Sequence, residues 1–96
     1  YVEDIVYIET YNRGCKIYTT EGEYCDNKSI GEYEKKLDPK QFFRIHKSII
    51  INLDKVREVF PWGSNSFSLR MRGYEDQILP IARDKTRILK QHLMGL

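Results

Sequence analysis

The spacing of apolar positions changes twice along the chain, and the changes mark out its elements. Across residues 4–11, Ile5, Val6, Tyr7 and Ile8 leave few polar gaps, which predicts a strand covered on both faces. Asn12-Arg13-Gly14 follows as a turn, since Asn and Gly tolerate positive φ. Residues 16–20 resume as a strand, and Glu21-Gly22-Glu23 closes a second hairpin onto a short strand at Tyr24-Cys25. The period then lengthens. Ser29 and Glu32 have the spacing of a capping box, and Ile30, Tyr33 and Leu37 share one helical face. Asp38-Pro39 ends this short helix, because the residue before proline avoids the α region. So short a helix is stable only when packed on a sheet.

Residues 42–52 are the stretch around which the rest is organised. Phe42, Phe43, Ile45, Ile49, Ile50 and Ile51 favour strands and a core. Arg44, His46, Lys47 and Ser48 sit among them, and a lysine is not tolerated inside a buried strand pair. The sequence therefore predicts two short strands joined by a tight exposed turn, with His46-Lys47-Ser48 at its tip. After a turn at Leu53-Asp54-Lys55, residues 56–60 read as a strand and Pro61-Trp62-Gly63-Ser64-Asn65 as a turn. Residues 67–72 alternate, with Phe67, Leu69 and Met71 on one face and Ser68, Arg70 and Arg72 on the other. Residues 73–76 read as a loop, and 77–81 as a strand that Pro80 pushes to an edge. Residues 82–94 read as a helix with Ile88, Leu89 and Leu93 as its apolar stripe and Asp84 near its start. The expected fold is mainly β: short antiparallel strands in stacked sheets, one small internal helix and a C-terminal helix.

Length and composition add bounds. Ninety-six residues suit one domain with a modest core. No run is long enough for a membrane-spanning helix and no leader pattern is visible. The chain opens on Tyr1, so it is expected to be a fragment of a longer protein. Two cysteines, Cys15 and Cys25, are too few for a secreted disulfide framework. Free thiols in the cytoplasm are the expectation, with a Cys15–Cys25 disulfide the alternative. The net charge is +2, but residues 1–39 carry five Lys/Arg against nine Asp/Glu, and residues 40–96 eleven against five. A positive half suits a polyanion, although solvated charge spread by folding gives the same count.

Enzyme chemistry is thinly represented. Cys15, Cys25, His46 and His92 lack the spacing of a metal site, and the glycines are isolated, so no phosphate-cradling loop is present. No cofactor is implied. His46, His92 and Lys47 match a ribonuclease only as residue types. Nucleic-acid binding fits better. Basic and polar residues cluster at predicted turns and at a helix start: Asn12, Arg13 and Lys16; His46, Lys47 and Ser48; Arg83, Lys85 and Arg87. On one edge they would form an extended footprint for phosphates, with arginine able to read guanine.

The run Phe42-Phe43-Arg44-Ile45-His46-Lys47-Ser48, followed two residues on by Ile51-Asn52, resembles the signature of the LytTR family, bacterial DNA-binding domains of response regulators. Residues 4–9 resemble the family's opening strand, Ser29 to Leu37 its internal helix, and Leu79-Pro80-Ile81-Ala82-Arg83 its approach to the last helix. The resemblance spans essentially the whole chain. It implies stacked antiparallel sheets, and loops rather than a helix entering successive major grooves, with a contact across the minor groove between them. Its contact positions fall on Cys15 with neighbours Arg13 and Lys16, on Lys47, and on Arg83. Some members carry histidine at the Cys15 position, so here Arg13 or Lys16 would substitute. Lysine at 47, where arginine is common, lacks the bidentate fork. Lys47 is therefore expected to position the backbone, Arg83 to read bases, and His46 to brace the turn.

The expectation is thus a sequence-specific DNA-binding output domain of a bacterial transcriptional response regulator. It would bind double-stranded DNA as two copies on repeated half-sites, downstream of a receiver domain in the same chain. A ribonuclease using His46 and His92, or a β-rich protein-interaction module with open strand edges, are the alternatives.

Overall fold

The computed structural model describes residues 1–95. Its elements run β1 (Ile5–Tyr11), β2 (Gly14–Thr19), β3 (Gly22–Asp26), α1 (Ile30–Lys36), β4 (Phe42–His46), β5 (Ile49–Asn52), β6 (Val56–Pro61), β7 (Phe67–Met71), β8 (Tyr74–Ile81) and α2 (Arg83–Met94). Short 3₁₀ turns at Val2–Asp4 and Leu53–Lys55 precede β1 and β6. Antiparallel pairing builds a five-stranded sheet ordered β3-β2-β1-β5-β4 and a three-stranded sheet ordered β6-β7-β8. This is the expected fold class, stacked antiparallel sheets with a small internal helix and a C-terminal helix.

The larger sheet is the middle layer. Strand alternation sends Ile8, Cys15, Ile17 and Ile50 to one face, where Ile30 of α1 and Phe42 complete an apolar cluster. Tyr7, Tyr18 and Ile51 point the other way, onto Leu69, Met71, Leu79 and Ile81 of the smaller sheet and Leu89 of α2. Both faces of β1 are covered, as its near-continuous apolar run demands. The capping box of α1 is complete: Glu32 N–H donates to Ser29 Oγ, and Ser29 N–H to the Glu32 carboxylate. Fully buried Asn52 donates to the Ile5 carbonyl at 2.8 Å and accepts from Asp54 N–H at 2.9 Å, tying β5 to the start of β1 and to the turn into β6.

Several expectations are corrected. Gly14 does not supply a positive φ; Asn12 and Arg13 do, at 45° and 66°. Gly14 is needed because a Cβ there would lie 2.0 Å from the Asp26 carbonyl oxygen. Residues 74–76 are strand, not loop, since Arg72-Gly73 alone makes the turn and Met71 pairs with Tyr74. Ser68 is buried although its neighbours on that face are not; Phe60 and Pro80 oppose it on either side and hide its small side chain. On α2, Leu89 is buried but Ile88 and Leu93 are exposed, because the helix meets the core through a narrow strip shared with Lys85 and Thr86. Cys15 and Cys25 are both free. Cys15 pairs with Asp26 and Cys25 with Lys16, which puts the two thiols on opposite faces of the sheet.

The strand directions sort the turns into two ends. β1 rises to Asn12-Arg13, β4 to Lys47-Ser48, β6 to residues 62–66, and β8 to Ala82-Arg83. The turns at Thr20-Glu21, Leu53–Lys55 and Arg72-Gly73 lie at the opposite end.

Candidate nucleic-acid interface

The three basic clusters, remote in sequence, meet at the first of these ends. Because β1 pairs with β5 at Glu9↔Ile49, the β1–β2 turn lies beside the β4–β5 turn, and Thr10 N–H donates to the Ser48 carbonyl at 3.0 Å. Ala82 N–H donates to the Ile45 carbonyl at 2.8 Å, which pins the start of α2 against the last turn of β4. The two hairpin tips are two strand spacings apart, about 10 Å, and α2 opens just beyond. The order along the rim is Arg13, then Lys47, then Arg83.

Arg13 owes its place to backbone conformation. It is the second residue of a two-residue turn in which both φ values are positive, the primed geometry that matches strand twist and normally takes Asn-Gly. An arginine in the left-handed region costs roughly 1 kcal/mol, and such outliers gather at functional sites. Arg13 and Asn12 are both exposed.

Lys47 and Ser48 form a two-residue turn in which neither φ is positive. His46 Nδ1 accepts the Ser48 N–H at 3.1 Å, so the imidazole braces the turn, as expected of it. Arg44 completes the brace. Its Nη1 donates to Glu34 Oε1 of α1 at 2.9 Å, and its Nη2 to the Lys47 carbonyl. The Lys47 ammonium is left exposed at the tip, and Ser48 makes its turn contacts through the backbone. Arg83 and Arg87 are exposed and four residues apart, on one face of α2. Lys85 is half-buried beside Ala82, Asp84 and Lys47.

One candidate for the first contact, Cys15, is corrected, and a second, Lys16, is found in an ion pair. Cys15 is fully buried in the α1-side cluster, and burial pushes its thiol pKa up; it cannot reach a ligand at the rim. Lys16 is engaged elsewhere. Its ammonium pairs with Glu23 at 3.1 Å and lies over the Tyr11 and Tyr18 rings, and the Glu23 hydrogen bond holds its pKa up. Arg13 is the free cation of that cluster. Among the described residues, Arg13, Lys47, Arg83, Lys85 and Arg87 take part in no ion pair, whereas Lys16, Lys28, Arg44 and Arg70 do. A polyanion meets these five without displacing a carboxylate.

The ribonuclease arrangement is not assembled. His46 is half-buried in its brace near the start of α2, while His92 is exposed in the last turn of that helix, its ring 5.2 Å from Phe43. The two residues line different cavities. Residues 62–66, read from sequence only as a turn, also stand at the basic end. Only the register of the smaller sheet reveals this.

Comparison with known proteins bears on the family and the fold. The model of the LytTr DNA-binding domain matches residues 1–94. Transcriptional regulatory protein YpdB of Escherichia coli (strain K12) is 34% identical over 90 residues, which cover 94% of this chain and 36% of that protein. Sensory transduction protein LytT of Bacillus subtilis (strain 168) is 28% identical over 91 residues, 95% of this chain and 37% of that protein. The chain thus spans little more than a third of the length of these relatives. A solved LytTr DNA-binding domain from Bacillus cereus superposes with a TM-score of 0.81 at 21% identity, covering 98% of this chain and 84% of that one. The family model and these relatives place the chain in one family: it belongs to the LytTR DNA-binding domains.

Proposed function

We propose that this chain is the sequence-specific DNA-binding output domain of a bacterial transcriptional response regulator. One observation carries the reading: Arg13, Lys47 and Arg83 converge on one end of the molecule, from two hairpin turns and the start of α2, with no carboxylate partner. Arg83 reads a base edge in one major groove, Arg13 approaches the neighbouring groove, and Lys47 with Ser48 holds the phosphates between them. Arg87 and Lys85 extend the phosphate contact along α2. The relatives' names, a transcriptional regulatory protein and a sensory transduction protein, support a regulator acting in the cytoplasm. Their greater length supports a receiver domain in the same polypeptide. Two copies on half-sites about one helical turn apart would then bind cooperatively once the receiver domains bring them together.

The test uses a duplex recovered by selection from a random library, labelled and titrated over a salt series. Lys47→Ala should lower the log–log salt slope by about one and weaken all sequences alike. Arg83→Ala should cost about 1–3 kcal/mol on the preferred duplex and relax preference at one position. If neither variant alters binding, the assignment is wrong.

A further inference from the structure

The loop at residues 62–66 has a composition that a tight turn does not require. Trp62 is 55% exposed, and its ring contact is edge-on to Phe60, with centroids 5.9 Å apart. Gly63 and Asn65 have φ values of 79° and 55°, and Trp62 N–H donates to the Ser66 carbonyl, closing the loop. Ser64 and Asn65 are exposed. The indole keeps more than half of its surface exposed at a loop tip, with Phe60 as its aromatic neighbour, and Ser64 and Asn65 beside it are neutral donors.

Register fixes where the loop stands. Pro61 pairs with Phe67 and Phe67 with Ile81, and the next residue, Ala82, is bonded to Ile45 at the basic rim. The base of the loop is therefore two strand spacings, about 10 Å, from the residue that leads into Arg83. Half to two-thirds of protein–DNA hydrogen bonds go to phosphate and sugar, many from serine, asparagine and backbone N–H groups. A sugar-phosphate strand offers an apolar sugar face for an indole and acceptor oxygens for the rest.

We infer that loop 62–66 is a fourth DNA contact, laying the Trp62 indole against the sugar-phosphate strand flanking the groove taken by Arg83, while Ser64 and Asn65 donate to phosphate oxygens. This rests on the DNA-binding reading above. The loop carries no charge, so its contribution differs in kind from that of Lys47: it adds affinity without counterion release.

Trp62 is the chain's single tryptophan, so its emission reports on this loop alone. With the selected duplex at saturation, judged by the anisotropy of the duplex label, Trp62 emission should change and its quenching by acrylamide should fall at least twofold. Trp62→Ala should bind about fivefold more weakly, the scale of one lost contact, with the salt slope of the wild type. Ser64→Glu, at an exposed position, should fold normally and bind about fivefold more weakly through repulsion of the phosphates, roughly the 1 kcal/mol scale of two charges a few ångströms apart in water. Saturation with unchanged Trp62 emission and unchanged quenching, or a Ser64→Glu variant that binds like the wild type, overturns the fourth contact and leaves the DNA-binding reading standing. No anisotropy change with any duplex overturns both.

Discussion

The two hairpins of the basic rim solve one problem in different ways. Both are two-residue turns that must hold a cation outward. The Asn12-Arg13 turn is held by its own torsions, with both φ values positive, and no described side-chain hydrogen bond supports it. Its geometry follows the strand twist and its cost is local strain. The Lys47-Ser48 turn lacks positive φ, and its register is irregular between Arg44 and His46. Its neighbours hold it: His46 Nδ1 on the Ser48 N–H, Arg44 on the Lys47 carbonyl, and Thr10 on the Ser48 carbonyl. Polar residues interrupt the apolar run at 44 and 46 because this turn needs bracing.

The largest effect should come from the floor of the first hairpin. Gly14→Ala would drive its Cβ into the Asp26 carbonyl, and neither backbone can yield without parting β2 from β3. The expected cost is about 3 kcal/mol, read as a lower urea midpoint at unchanged m. A shift below about 0.5 kcal/mol, the ordinary range for surface substitutions, would mean that β3 moves freely there.

Next comes the brace of the second hairpin. Arg44→Met keeps the stem but removes the bonds to Glu34 and Lys47. The pair with Glu34 is part-exposed, and Arg44 Nε is buried without an acceptor, so stability should fall by only about 1 kcal/mol. DNA affinity should fall about fivefold, a hydrogen bond's worth, although Arg44 touches no DNA in this reading. Faster hydrogen exchange at the Ser48 amide should accompany the loss. Affinity equal to the wild type would show that Lys47 is positioned without Arg44.

The contrast also explains what could be read in advance. The elements, the capping box and the bracing role of His46 follow from local pattern, since each depends on neighbours in sequence. Cys15 and Lys16 are neighbours in the sequence but face opposite ways in the strand. The face given to Cys15 is the buried one, and the face given to Lys16 holds Glu23, a partner from another strand. Ile88 is exposed while Leu89 is buried, because a three-and-four spacing defines a helical stripe but not which part of it meets the core. The position of residues 62–66 depends on pairing across β6, β7 and β8, which no single segment encodes.

Arg13→Gly separates strain from function at the first tip. Glycine occupies the left-handed region freely, which favours the variant, but its looser unfolded chain takes part of the gain back. The net expectation is about 0.5–1 kcal/mol of added stability. Binding to the selected duplex should weaken, with a salt slope lower by about one. Stability and affinity then move in opposite directions, which is the mark of a residue kept for its contact. A variant both more stable and equally tight on DNA would remove Arg13 from the interface.

The smallest effect concerns the link from α1 to the first hairpin, and it depends on pH. The Tyr33 hydroxyl donates to the Asp26 carboxylate, on the residue whose carbonyl abuts Gly14. That hydrogen bond, the largest cause, holds the Asp26 carboxyl below its ordinary range. A carboxyl depressed by folding adds stability above its unfolded pKa, about 3.9, and loses it as pH falls through the lower folded value. Tyr33→Phe should therefore be less stable than the wild type at neutral pH, with a gap in urea midpoint that holds down to about pH 5 and narrows below about pH 4. Asp26 is solvent-accessible on its charged side, so the gap should be small and should shrink in high salt. The absence of a gap at any pH would mean that Tyr33 supports the hairpin through ring packing alone, and a gap that stays constant down to pH 3 would mean that its hydroxyl contributes equally whether Asp26 is charged or neutral, so that the ionised carboxylate adds nothing to holding β3 beneath the Arg13 turn.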